Sequence, residues 1–141
     1  MIASGRVASA QVYYNLLNPS AGRAVPAAWS TTDFENLIAA CQAAGVAVMN
    51  IRIFAGGTLA DPEPHGREWP ITRNSDIATE QARAEKLFAA MAPDQGSRAQ
   101  AAVRFGLAHP GVSGVVLGLA ELSHLEEALA AAAMGPLPDD V

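Results

Sequence analysis

Three short apolar runs decide most of what this chain can become. They are Ala8–Leu17 ("ASAQVYYNLL"), Val46–Phe54 ("VAVMNIRIF") and Val112–Gly118 ("VSGVVLG"). Each reads as a strand, and the first is too continuous for a strand wet on one face, so it predicts a buried, parallel strand. Helical patterns fill the gaps. Thr31, Thr32 and Asp33 offer N-caps to a first helix. Its face is Phe34, Leu37, Ile38 and Cys41, and Gly45 stops it. A second helix is expected from Asp76 to Met91, with Ile77, Ala84, Leu87, Phe88 and Met91 on one side. A third starts at a Ser97 cap, presents Ala99, Ala102, Val103, Gly106 and Leu107, and ends at His109-Pro110. A fourth, "ELSHLEEALAAAA", aligns Leu122, Leu125, Leu129 and Ala132. The order is β-α-β-loop-α-α-β-α. No linker divides it, so residues 1–141 read as one α/β domain.

Three parallel strands make an incomplete object. Parallel sheets want both faces covered. A (β/α)₈ barrel takes about 250 residues and eight strands, and this chain has 141 residues. At least one sheet edge is therefore expected to be raw, with self-association through it as a consequence. Other classes fall away on composition. The net charge is −5, and eight arginines and one lysine are scattered along the chain, which argues against nucleic acid. No apolar run is long enough to span a membrane. The N-terminus lacks the pattern of a secretory signal, and a single cysteine, Cys41, rules out an internal disulfide and a cysteine-based zinc site. A cytoplasmic address is the default. The stretch Phe54–Ser75, with Pro62, Pro64 and Pro70, is expected to be a long loop.

Three segments taken in order carry a resemblance. "QVYYNLLNP", "GVAVMNIRIFAGGTLA" and "SRAQAAVRFGLAHPGVSGVVLGLAELSHLEEAL" resemble the C-terminal portion of the aldo-keto reductase family, over about Gly5 to Leu129. The resemblance implies a partial (β/α)₈ TIM barrel, whose three strands are the sixth to eighth. "MIASGRV" then corresponds to the end of a preceding helix and its joining loop, and Met1 to an internal methionine of a longer parent. Members of the family reduce carbonyls with NADPH and without a metal. Their catalytic tetrad of Asp, Tyr, Lys and His lies on the early strands, which have no counterpart here.

Substitutes are not evident in the sequence. The only lysine, Lys86, lies mid-helix, where a solvated role is expected. Tyr13 and Tyr14 read as packing or barrel lining rather than acid catalysts. His65 falls in the loop, and His109 at a helix end suits its negative pole. No catalytic residue is assigned.

The cofactor side remains. By resemblance, Gln11 hydrogen-bonds the nicotinamide carboxamide; the alternative is a buried glutamine satisfied by backbone. Ile51 stands where the family often stacks a Tyr or Trp on the nicotinamide. Arg52 follows, where the family often has Ser. It suits a cofactor phosphate, or equally an ion pair with a carboxylate from an upstream segment. Ile53 and Phe54 begin a loop over the pyrophosphate, and Gly56-Gly57 permits close backbone approach. Gly118, Leu119 and Ala120 correspond to the turn at the 2′-phosphate end, His124 stands where the family often has Arg or Gln, and Glu127 where its adenine-contacting Glu stands. His124 opposed by Glu121, with no Lys or Arg in the turn, weakens NADP relative to NAD.

The function expected is thus the cofactor-binding side of an NADP-dependent aldo-keto reductase acting on a small carbonyl substrate, inactive as this chain alone. The alternative is an inactive nucleotide-binding or assembly module that completes its sheet with another chain. A small unrelated α/β domain is the third reading.

Overall fold

The computed structural model describes residues 2–66, 68–70 and 74–138. Met1, part of the long loop and the last three positions of the C-terminal tail lie outside the described residues. Its sheet has three parallel strands in the order β1 (Ser9–Tyr13), β2 (Ala47–Ile51), β3 (Gly114–Val115). Four helices accompany it: α1 (Leu37–Ala43), α2 (Ile77–Ala90), α3 (Arg98–Ala108) and α4 (Leu122–Met134). The element order is the one expected.

Register divides the sheet into two faces of different character. Val12 pairs with Asn50, and Asn50 with Val115. On this face Val12 and Val48 pack with Ile38 and Cys41 of α1 and with Ala101 and Phe105 of α3. A second cluster, Ile53, Leu59, Ala84, Val103 and Ala131, ties α2, α3 and α4 together. The opposite face carries Ser9, Gln11, Tyr13, Ala47, Met49, Ile51 and Gly114. Ser9, Gln11 and Ala47 are exposed, and Met49 and Ile51 are only half-buried. Helices thus cover one face of the sheet and leave the other open, as in an opened arc of barrel wall.

Boundaries shift where local hydrogen bonds compete with the regular ladders. The first strand stops at Tyr13 rather than Leu17. The Asn15 carboxamide accepts from the N–H groups of Leu17 and Asn18, folding a turn that a strand cannot continue through. The first helix starts at Leu37 with Asn36 as its N-cap, not at Thr31, Thr32 or Asp33. Glu35 and Asn36 are left-handed, at φ 51° and 54°. The N–H groups of Asn36 and Ile38 bond the carbonyls of Ser20 and Ala21, so backbone takes the place of a side-chain cap. Gly45 ends α1 as expected, at φ +67°. Asp76 and Ser97 cap α2 and α3, and Ser97 forms a full capping box with Gln100.

The fourth helix turns the expected face the wrong way. Leu122, Leu125 and Leu129 are 71%, 42% and 62% exposed, and Ala132 is exposed with them. Helix α4 instead lays Glu127, Ala128 and Ala131 toward α3. Two polar anchors fix that choice. The Ser97 hydroxyl donates to Glu127, and Arg104, 7% exposed, donates to the carbonyls of Gly135 and Pro136 just past α4. Leu107 of the third helix is likewise outside the core, at 38% exposed.

Candidate functional site

All three strands are parallel, so Tyr13, Ile51 and Val115 end on one rim of the sheet. Of the residues singled out from the sequence, Gln11, Ile51 and Arg52 lie at that rim or on the open face below it, whereas Ile53, Phe54 and Glu127 turn elsewhere. Gln11 lies on the open face beside Met49 and is exposed. Ile51 pairs with Tyr13 at the rim and is half-buried. The Ile53 side chain is 1% exposed and packs toward α3, which leaves only its backbone facing the loop. Phe54 is half-buried against the same cluster.

Arg52 is the unusual residue. It follows β2 directly and holds φ +61°, a left-handed conformation that costs a non-glycine residue about 1–2 kcal/mol. Its guanidinium is exposed, and among the described residues it makes no ion pair. The turn continues through Ala55 at φ 48°, Gly56 at 73° and Gly57 at 119°. Backbone strain of this kind is held in place only when its surroundings over-determine it.

A buried amide network, missed by the sequence reading, does that. Asn15 is fully buried, and its Nδ2 donates to the Arg52 carbonyl at 2.9 Å. Asn18 donates to the Thr32 carbonyl, and its Oδ1 accepts from the Ser20 hydroxyl at 2.7 Å. Ser20 Oγ in turn accepts from the Phe34 N–H. The visible signal was the spacing of Asn15, Asn18 and Ser20 around Pro19, turn chemistry that also orders a rim. Arg83 was missed as well. It donates to the Leu17 carbonyl at 2.7 Å and stacks over Trp29.

Tyr13 faces this group and stacks on Phe34 at 5.4 Å. Burial pushes its phenol upward. A hydrogen bond from Asn15 pulls the other way, the Glu80 carboxylate adds to the rise, and the Arg52 and Arg83 guanidinium groups oppose it. Tyr14 is 1% exposed and stacks on Phe105 at 4.8 Å. Both tyrosines pack, and neither phenol is lowered toward neutral pH. Lys86 is exposed on α2.

The third strand leads into the second part of the rim. Gly118, Leu119 and Ala120 are exposed and precede α4. The Ala120 N–H points to His124 Nδ1 at 3.5 Å. Glu127 turns away from this end and binds Ser97. Two hollows beside α2 and α3, lined in part by Phe88 and Arg98 or by Arg23 and Phe105, hold none of these residues. No cluster of metal-ligating side chains occurs among the described residues, and no helix there is long and apolar enough to cross a membrane.

The profile of the aldo/keto reductase family matches residues 4–141. This chain belongs to that family. The family is one of oxidoreductases. Among solved structures the chain resembles an aldo-keto reductase from Bacillus halodurans in its apo form, at 19% identity and a TM-score of 0.68. That match covers 99% of this chain and 42% of the other. The holo form of the same protein gives 20% identity, a TM-score of 0.68, and 99% and 41% coverage. The likeness is one of fold: three parallel strands and their helices form part of an aldo-keto reductase barrel, not a closed one. No curated protein matches the sequence.

An exposed arginine without an ion pair fits a phosphate, and an exposed glutamine on the open face fits a carboxamide.

Proposed function

We propose that this chain is the C-terminal part of an NADP-dependent aldo-keto reductase and supplies the cofactor-binding side of its barrel. Residues 1–141 then form a single partial domain, with β1 to β3 as the last three strands. The observation that carries the reading is the one-sided sheet: helices on one face, and an open face whose rim holds Gln11, Ile51 and Arg52. That is the lumen side and carboxyl end of a barrel arc, where such enzymes bind ligands.

In this reading Gln11 holds the carboxamide and Ile51 gives the nicotinamide an apolar wall. Arg52, with the Ile53–Phe54 backbone, meets the pyrophosphate. Gly118, Leu119, Ala120 and His124 meet the adenosine phosphate, and Glu127 braces their helix through Ser97. A nicotinamide held by these residues would supply a hydride to a small carbonyl substrate in the whole barrel. This chain's own residues bind and orient. The acid–base tetrad belongs to strands outside it, so the chain alone does not turn over. A cytoplasmic, metal-free enzyme is the setting.

Fluorescence titration with NADPH and with NADH tests this, alongside a carbonyl-reduction assay. We expect saturable NADPH binding, weakened in Arg52→Ala, and no turnover. Absence of NADPH binding overturns the cofactor role, and turnover by the pure chain overturns the division of labour.

A second reading has its own support. The exposed leucine row of α4 and the edge position of β3 in the sheet favour completion of the sheet by further βα units on another chain. A defined assembly in sedimentation, stabilised by NADPH, supports it; heterogeneous aggregates oppose it.

A further inference from the structure

We infer that Asn15 is a positioning residue for Arg52: from the end of the first strand it clamps the second strand's exit turn so that the Arg52 guanidinium is presented at the sheet's rim. The inference rests, for its ligand, on Arg52 as a phosphate contact; the clamp itself stands on geometry.

Along β2 side chains alternate, and Asn50 points to the helix side, where its Nδ2 donates to the Gly106 carbonyl. A strand continued to position 52 would turn that side chain the same way, into the core beneath α3. The left-handed backbone at Arg52 breaks the alternation. The guanidinium stays exposed, within electrostatic reach of the Tyr13 phenol at the rim.

Left-handed arginine is disfavoured, so something must hold it. The Arg52 carbonyl accepts twice, from the Ala55 N–H at 3.0 Å and from Asn15 Nδ2 at 2.9 Å. The first bond is local and would serve any turn. The second spans 37 residues and joins the ends of two neighbouring strands. Asn15 is suited to this because its other end is already fixed. Oδ1 accepts from Leu17 at 3.0 Å and Asn18 at 2.9 Å, so the amide has one orientation available. Asparagine alone supplies acceptor and donor at this reach. Aspartate keeps the acceptor and loses the donor.

The test compares wild type, Asn15→Asp, Arg52→Gly and the double variant. Backbone carbon NMR shifts at residue 52 should report a left-handed residue in the wild type and lose that signature in Asn15→Asp. NADPH affinity should fall about tenfold in Asn15→Asp, equivalent to about 1.4 kcal/mol. In the Arg52→Gly background the same change should cost no further affinity, because the group being positioned is gone. Additive losses would make Asn15 a loop-folding residue only and overturn the inference. So would an unchanged left-handed signature in Asn15→Asp. Should Asn15→Asp not fold, Arg52→Gly alone still decides: relief of a left-handed arginine should raise Tm by about 3 °C, and a fall in Tm refutes the strained clamp. A wild type that binds no NADPH defeats the cofactor reading, while the NMR and Tm results still decide the clamp.

Discussion

Replacing Arg104 by methionine should loosen one of the two polar anchors that seat α4. Arg104 is buried, makes no ion pair among the described residues, and its guanidinium serves carbonyls. Nε donates to Gly135 at 2.9 Å, Nη1 to the Gln95 carbonyl at 2.8 Å, and Nη2 to Pro136 at 3.1 Å. Methionine fills the stem's volume and removes every donor. Each buried acceptor left unpaired costs about 1–3 kcal/mol. Gly135 is half-buried and Pro136 is exposed, so water can reach both carbonyls. Gln95 is 9% exposed, so its carbonyl bears most of the penalty. Relief of the guanidinium's own desolvation offsets part of it. The net cost is about 2 kcal/mol, and for a chain of this size that lowers Tm by about 6 °C. Circular dichroism melts of wild type, Arg104→Met and Arg104→Lys measure it. Lysine, a compact charge, cannot fork to three carbonyls and should recover less than half. A methionine variant within about 0.5 kcal/mol of wild type would refute the reasoning, since surface-like substitutions fall in that range.

Three other outcomes are expected. Gly106→Ala places a methyl 2.7 Å from Ile53 Cδ1 and 3.1 Å from Asn50 Nδ2; urea denaturation should show a loss of about 1–3 kcal/mol. Leu125→Lys with Leu129→Lys, on the exposed face of α4, should leave stability within about 0.5 kcal/mol and reduce self-association in sedimentation. The Asp76 carboxyl is held below its usual range by the Thr79 N–H it caps. A lowered value stabilises above the unfolded pKa of about 4 and is lost as pH falls through the folded one. Helicity should therefore decline on acidification below about pH 4, and Asp76→Asn should flatten that step.

Much of the fold was legible because strands and caps are local. Ser97 as the cap of α3, Asp76 at the start of α2 and Gly45 after α1 each act locally, and each appears where the sequence puts it. The ordered motifs likewise fixed the family. Asn15 shows the limit. Its neighbours reveal a turn, but its bond to Arg52 joins positions 37 residues apart, and no periodicity encodes a partner on another strand. The leucine row of α4 shows the opposite failure. Its spacing correctly marked one helical face, but spacing cannot say what lies opposite. In this fold small alanines and two polar anchors, Ser97–Glu127 and the Arg104 cluster, seat the other face on α3. By itself, then, the sequence determined the elements, their order and their parallel character, since apolar periodicity and capping are properties of neighbouring residues. Only the tertiary structure decided which face of the sheet is covered, which side of α4 is buried and which way Arg52 turns, since burial and backbone strain depend on residues that meet only once the chain has folded.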